Sequence, residues 1–212
     1  PDIAVKIVHV PHGMLRFASG KMSSRTGNII TAESLLAEVK EALVPKMKGE
    51  SVPESERAAV IEEVAVGAIK YSILRQSAGK DIIFDFSTSL SFEGDSGPYI
   101  QYTYARTRSV LAKAKGAGIH PSLEKSSAGV YHLERLLMQF PDAVAKANAN
   151  RNPHFVAEYI FDLAQTFNGF YAHERIVDAG DEAPYRLALT EAAATVLKNG
   201  LTLLGIPAPE RM

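Results

Sequence analysis

The sequence contains no cysteine and no tryptophan. Without cysteine the chain can form neither a disulfide framework nor a thiolate metal site, which fits a reducing compartment. No apolar run has the length of a membrane span, and the first residues lack the charged and then apolar order of a signal peptide. These absences argue against a disulfide-rich secreted domain and a membrane protein, and we expect a cytoplasmic location.

Acidic residues are missing from two long segments, although the net charge of the chain is only -1. No Asp or Glu lies between Asp2 and Glu33, and none lies between Asp95 and Glu124. Both segments carry several lysines and arginines. Because local charge rather than the total governs contact with phosphates, each segment is a candidate surface for an anionic partner.

Helical spacing of apolar residues dominates the 212 residues, of which 46% are hydrophobic. Thr31 is placed to cap a first helix that Pro45 ends, and a second helix is expected to run from Glu54 to about Gln76. Extended structure is predicted only near Ile3–Val8 and Ile82–Phe86. From Gly97 onward the pattern is helical almost throughout. The sequence therefore predicts a mainly α protein built around a helical bundle.

The loop Gly20–Asn28, GKMSSRTGN, is basic and rich in hydroxyls. Its backbone N–H groups, hydroxyls and cations could hold a phosphate chain. Its glycine and lysine spacing is not that of a P-loop. A solvated basic turn is the alternative interpretation, and the loop alone does not decide between the two.

The helix after Gly97 is predicted to have two chemically different faces. One face is apolar and contains Ile100, Tyr104, Thr107, Leu111 and Ala114. The other is aromatic and basic and contains Tyr99, Tyr102, Arg106, Ser109 and Lys113. The second face could stack nucleobases and hold phosphates. An ordinary polar face with tyrosines at its boundary is equally compatible with the periodicity.

Two other chemistries are weaker hypotheses. The segment Gly94–Pro98 resembles the nucleophile segment of chymotrypsin-like proteases, but a hydrolase built around Ser96 would need a β scaffold that the helical pattern does not offer. His9 with His12, or His173 beside Glu174, lacks a third ligand at a sensible spacing. We therefore expect no metal site in this chain.

Three stretches together resemble arginyl-tRNA synthetase, a class I aminoacyl-tRNA synthetase: the basic loop, Ser91–Arg106 (SFEGDSGPYIQYTYAR) and Leu203–Met212 (LLGIPAPERM). Phe167–Tyr171 and Arg186–Leu189 are also similar to the C-terminal helical domain of that family. The similar stretches occur in the same order as in that family and extend over the whole chain. It implies that residues 1–95 are the end of a catalytic domain, a small α/β remnant with connecting helices, and that residues 96–212 are an α-helical anticodon-binding domain.

On this resemblance the basic loop is similar to the KMSKS loop, which closes over ATP during amino-acid activation. The resemblance assigns catalysis to Lys21, Ser23 and Ser24, and ATP binding to these residues with Met22 and Arg25. Ser24 replaces the second lysine of the family signature, so part of its electrostatic work is assigned to Arg25. The chain contains no HIGH signature. We therefore expect the C-terminal part of a larger synthetase, inactive by itself.

The resemblance also implies that the chain contacts tRNA(Arg). The residues assigned to this contact are Tyr99, Tyr102, Arg106, Lys113, Tyr171 and Met212. ATP, with Mg²⁺, and arginine would bind through the full-length enzyme, with no cofactor held tightly by this part alone. No membrane contact and no oligomer are expected. The alternative hypothesis is a non-catalytic helical module that binds RNA or a protein partner.

Overall fold

A computed structural model of the chain describes residue 3 and residues 6–18, 31–47, 52–124 and 130–212. Helices dominate, and the mainly α prediction is confirmed. The elements in chain order are β1 (Leu15–Phe17), α1 (Ala32–Leu43), a 3₁₀ turn (Val44–Met47), α2 (Glu54–Leu74), β2 (Ile82–Phe84), α3 (Phe86–Ser89), α4 (Gly97–Gly116), α5 (His132–Met138), α6 (Phe140–Asn150), α7 (His154–His173), a second 3₁₀ turn (Gly180–Glu182) and α8 (Ala183–Leu203).

The two strands form a small parallel sheet in which Leu15 lies opposite Ile82 and Phe17 opposite Phe84. The ring of Phe17 meets that of Phe84 edge-on at 6.0 Å between centroids. Gly13 lies so close to β2 that a Cβ there would be 2.0 Å from the carbonyl oxygen of Lys80. The strand expected at Ile3–Val8 is not found at the described positions of that segment, Ile3 and Lys6–Val8, and the strand lies at Leu15–Phe17 instead.

Two hydrophobic clusters form the interior. The larger is built from α4, α5, α7 and α8, with Tyr71 of α2, and the smaller from α1, α2 and β2. Helix α4 lies at the centre and packs against α2, α7 and α8. The residues predicted for its apolar face follow this arrangement, since Ile100, Tyr104, Thr107 and Ala114 are buried.

The start of α4 is fixed by Ser96. Its Oγ accepts a hydrogen bond from the Tyr99 backbone N–H at 3.2 Å and donates to the Ser91 carbonyl at 2.5 Å. Pro98 occupies the first turn, where a missing N–H costs nothing. Ser96 is 1% exposed. It is therefore a buried helix cap, which argues against the hydrolase hypothesis.

A hydrogen-bonded network with one buried member, Tyr71, joins the end of α2 to the turn before α4. The hydroxyl of Tyr71, a residue 1% exposed, donates to Oδ1 of Asp95 at 2.5 Å. Arg75 donates to Oδ2 of the same carboxylate at 2.8 Å and to its backbone carbonyl at 2.7 Å. Burial, together with the hydrogen bond to Asp95, raises the pKa of Tyr71 well above its usual range.

We expect this network to make the fold sensitive to alkaline pH. Unfolded tyrosine loses its proton near pH 10, whereas folded Tyr71 keeps it. Unfolding thus releases a proton above about pH 10, and the stabilisation that is fully present below that pH falls as pH rises. In urea denaturation at pH 8 and pH 11, Tyr71→Phe should show a smaller fall in unfolding free energy than the wild type. Burial also raises the pKa of Tyr159 to about 12, so part of the fall should persist. Equal falls in both proteins would contradict the prediction.

Candidate nucleic-acid interface

The aromatic and basic face of α4 opens onto two cavities. The larger, of about 660 Å³, lies between α4, the start of α2 and the 3₁₀ turn at Val44–Met47, and it is also lined by Phe92. The smaller, of about 450 Å³, lies between α4 and the end of α7. Tyr102, Arg106 and Met212 line both cavities. Tyr102 and Arg106 are one helical turn apart, so their side chains lie side by side.

Arg106 lies between two tyrosine rings. Its guanidinium carbon is 4.8 Å from the centroid of Tyr102 and 5.1 Å from that of Tyr171. The ring of Phe92 also meets that of Tyr102, in an edge-to-face contact at 6.1 Å between centroids, and the ring of Phe167 stacks on that of Tyr171 at 6.4 Å. We call these five side chains the aromatic ladder. The cation–π contacts hold the guanidinium and both tyrosines in one arrangement before any ligand arrives.

A hydrogen-bonded chain sets the orientation of Arg106. Its Nη1 donates to Oδ1 of Asn168 on α7. The Asn168 amide in turn donates to Oγ1 of Thr103 at 2.8 Å, and that hydroxyl donates to the Tyr99 carbonyl at 2.8 Å. Because a guanidinium has five N–H donors, others besides the one used by Asn168 can serve a phosphate or a base edge.

Four residues predicted to contact tRNA come together here: Tyr102, Arg106, Tyr171 and Met212. Tyr171 is 44% exposed, so it is a surface residue rather than a core residue. Met212 is half-buried and packs against the smaller cluster. Whether these side chains touch RNA stays a prediction.

The other two predicted residues lie apart from the ladder. Tyr99 lines the larger cavity, but its ring packs on Phe161 at 5.9 Å between centroids. Lys113 lines neither cavity and forms an exposed ion pair with Asp178 at 3.4 Å. Lys113 can therefore act only as a peripheral cation, at a distance from the aromatic rings.

No role was predicted for Asn168, Phe92 or Arg211. Asn168 orients Arg106, and the other two residues line the cavities. The sequence does contain one indication that Asn168 has a special role. Asparagine is unfavourable in a helix interior, and here it interrupts an aromatic stripe. Phe92 and Arg211 carry no such indication, since their positions depend on how distant segments pack.

The predicted ATP-loop residues Lys21, Met22, Ser23, Ser24 and Arg25 lie outside the described residues. The structure describes the chain up to Ala18 before the loop and again from Thr31 after it. The strand β1 is anchored by an Arg16–Asp81 ion pair at 2.7 Å, and the Met14 backbone N–H donates to Asp81 at 3.0 Å. Helix α1 begins beyond the loop, where Thr31 Oγ1 accepts from the Ser34 backbone N–H at 3.1 Å. The loop thus connects a fixed strand to a capped helix.

The part of the chain that the structure describes holds no group of three or more His, Asp or Glu residues placed to bind a metal ion. None of the helices described there is both long and apolar enough to cross a membrane.

The fold is a helical domain joined to a smaller part that contains a two-stranded parallel sheet. Comparison with known families agrees with both parts. Residues 100–212 match the DALR anticodon binding domain, and residues 1–86 match the catalytic domain of class I (R) tRNA synthetases. The chain therefore belongs to the DALR anticodon-binding family and is homologous to arginyl-tRNA synthetases. The boundary predicted at residues 95 and 96 stays a prediction.

Individual relatives support this assignment. The chain is 37% identical to the arginine–tRNA ligase of Streptococcus pneumoniae over 219 aligned residues, which cover 100% of the chain and 38% of that protein. It is similar to the structure of Thermus thermophilus arginyl-tRNA synthetase, with a TM-score of 0.79 and 32% identity over 95% of the chain and 35% of that structure. Plasmodium falciparum arginyl-tRNA synthetase shares the fold, with a TM-score of 0.71 and 24% identity over 95% of the chain and 34% of that structure. The chain thus spans little more than a third of the length of these proteins.

Proposed function

We propose that the full-length protein is an arginine–tRNA ligase, in which this chain recognises the anticodon loop of tRNA(Arg) and supplies the loop that closes over ATP. The observation that carries the proposal is the aromatic ladder, because it places two tyrosine faces and a guanidinium beside cavities in a domain of the anticodon-binding family. Unpaired loop bases are recognised by such stacking and edge contacts.

The two tyrosines and the arginine of the ladder have different roles in this proposal. Tyr102 and Tyr171 offer ring faces to unstacked loop bases, whereas Arg106 keeps the rings apart and offers its remaining donors to a base edge or phosphate. The larger cavity, at about 660 Å³, lies within the usual range for ligand pockets. Met212 forms part of its wall. Lys113 adds peripheral attraction for the RNA backbone.

The catalytic part of the proposal rests on the basic loop. Lys21 would stabilise the charge that develops on the triphosphate of Mg²⁺-bound ATP, while Ser23, Ser24 and backbone amides hold its oxygens. Met22 and Arg25 complete the contact. Arginine would bind in the part of the enzyme outside this chain, and AMP and pyrophosphate would be released. We propose a cytoplasmic, monomeric enzyme.

The alternative, a non-catalytic helical module that binds RNA or protein, has less support. Such a module would have no use for a piece of class I synthetase catalytic domain, yet residues 1–86 match one. A plain phosphate-binding module would also not require a guanidinium clamped between two rings.

Tyrosine substitutions in the full-length protein test the proposed recognition. Tyr102→Ala and Tyr171→Ala should each weaken binding of tRNA(Arg) about ten- to a hundredfold, because a stacked base contributes on the order of 1–3 kcal/mol. Binding of the same tRNA with all three anticodon bases replaced should change little, since those bases do not enter the cavities. Filter-binding titrations at one fixed salt concentration give both affinities.

Tyr185→Ala is the matched control. Tyr185 is also a half-buried tyrosine, but it lies on α8, where its hydroxyl donates to Glu134 at 2.8 Å. It should lower the melting temperature and leave the ratio of the two affinities unchanged. If Tyr102→Ala behaves in the same way as this control, Tyr102 is a core residue and the proposed site is wrong.

A further inference from the structure

Residues 205–212, here called the tail, follow α8 and cross α4 to reach the ladder. Helix α8 ends in a Schellman motif: Gly205 has a φ of 64°, its N–H donates to the Thr202 carbonyl at 2.9 Å, and the Ile206 N–H donates to the Leu201 carbonyl at 2.9 Å. Ile206 is 3% exposed and joins the larger cluster. The start of the tail is thus fixed by packing.

Beyond Ile206 the tail runs along α4 to the cavities. Glu210 forms a partly exposed ion pair with Arg108 at 3.6 Å, which contributes little in water. Met212 packs against the smaller cluster and lines both cavities beside Tyr102 and Arg106. Between these two ends the tail makes a buried contact with α4.

Gln101 supplies that contact. It is completely buried on α4, and its Nε2 donates to the Pro207 carbonyl of the tail at 2.8 Å and to the Glu63 carbonyl of α2 at 3.1 Å. An amide nitrogen has two N–H donors, so both are used. Because both partners are carbonyl acceptors, the nitrogen of the amide rather than its oxygen must face them. One side chain therefore ties the tail to two helices.

Gly67 of α2 makes room for this amide. A Cβ at Gly67 would lie 2.4 Å from Oε1 and 2.6 Å from Nε2 of Gln101. Such distances cannot be accommodated without moving the carboxamide. A glycine at this point of the α2–α4 contact and a buried glutamine opposite it thus form one structural unit, which does not itself line either cavity.

We propose that Gln101 is a positioning residue for RNA recognition, which acts by holding the tail so that Met212 completes the cavity wall beside Tyr102 and Arg106. The inference rests on the proposed function. It makes Gln101 act through Met212, without contacting the RNA.

The test is a double-mutant cycle in the full-length protein, with Gln101→Met, Met212→Ala and the pair. Methionine keeps the volume of glutamine but has no donor for Pro207. Each single variant should weaken binding of tRNA(Arg) about tenfold and leave binding of the anticodon-replaced tRNA nearly unchanged. The pair should be little worse than Gln101→Met alone, because residues that act through one another are not additive. Fully additive losses, or equal losses for both RNAs, would overturn the inference.

Hydrogen–deuterium exchange of the tail separates this inference from the proposed function, since it needs no RNA. Gln101→Met and Gly67→Ala should both speed exchange in peptides covering residues 204–212, in which the N–H groups of Gly205 and Ile206 are hydrogen-bonded to the end of α8. Thr190→Val is the control: Thr190 is equally buried, but its hydroxyl donates to Arg186 within its own helix at 2.9 Å. It should alter neither tail exchange nor RNA binding. Unchanged tail exchange in the Gln101 and Gly67 variants would overturn the positioning role, whereas equal binding of the two tRNAs by the wild type would overturn the proposed function.

Discussion

Replacing Arg106 by alanine in the full-length protein is expected to weaken binding of tRNA(Arg) about a hundredfold and to reduce its preference over the anticodon-replaced tRNA. Arg106 touches both Tyr102 and Tyr171, so its removal takes away a cation and also the spacer between two stacking surfaces. The loss should exceed that of either tyrosine variant. Filter binding at several salt concentrations measures the affinity, the preference and the salt dependence together.

Two further variants show whether the geometry or the charge of Arg106 matters. Lys113→Ala removes an exposed cation from the same helix and should lower affinity for both RNAs alike, with the salt slope reduced by roughly one unit. Arg106→Lys keeps the charge but loses the planar fork that stacks between the rings. If Arg106→Lys restores wild-type affinity and preference, Arg106 is a simple phosphate contact and the ladder is not the recognition surface.

Lys21→Ala is expected to slow amino-acid activation by about a hundred- to a thousandfold, the usual cost of removing one group that stabilises developing charge. The charge is needed as pyrophosphate leaves and is not needed to hold tRNA, so tRNA affinity should change little. The rate of pyrophosphate release at saturating ATP and arginine, with tRNA(Arg) present, measures the activation step.

Lys80→Ala is the matched control for Lys21→Ala. Lys80 is also a lysine of the segment that matches the catalytic domain, but it lies exposed just before β2 and is not one of the predicted ATP-loop residues. It should leave pyrophosphate release unchanged. An equal loss of tRNA binding and of activation in Lys21→Ala would instead favour a loop that only contacts RNA phosphates.

Much of the helical fold could be predicted because its signals are local. Thr31 caps α1 and the strong helical spacing after Gly97 marks α4, as expected. Element boundaries are less clear where a residue suits two positions. Pro141 lies in the first turn of α6, although proline is equally common just after a helix end. Helix α2 begins after Pro53, which makes no side-chain capping hydrogen bond, so no capping residue marks its start.

Residue spacing could predict the site only where one helix carries it, whereas Tyr171 and Met212 were predicted from the family resemblance. Tyr102 and Arg106 share a face of α4, so their spacing revealed them. Asn168 and the tail contact α4 from other segments of the chain, and no periodicity in the sequence indicates those contacts. The role of Gln101 was hidden for a related reason: a polar side chain on a helix gives no sign that its partners are backbone carbonyls of distant elements.

The most direct test of anticodon recognition by the ladder is the affinity of the full-length protein for an anticodon stem-loop RNA of tRNA(Arg) and for the same RNA with abasic sites at the three anticodon positions. Abasic sites remove the stacking faces and the base edges but keep every phosphate. The ladder predicts at least about tenfold weaker binding of the abasic RNA, since each stacked base contributes on the order of 1–3 kcal/mol. The Tyr102→Ala variant should lose most of that difference. Equal affinities of the wild-type protein for the two RNAs would contradict the account.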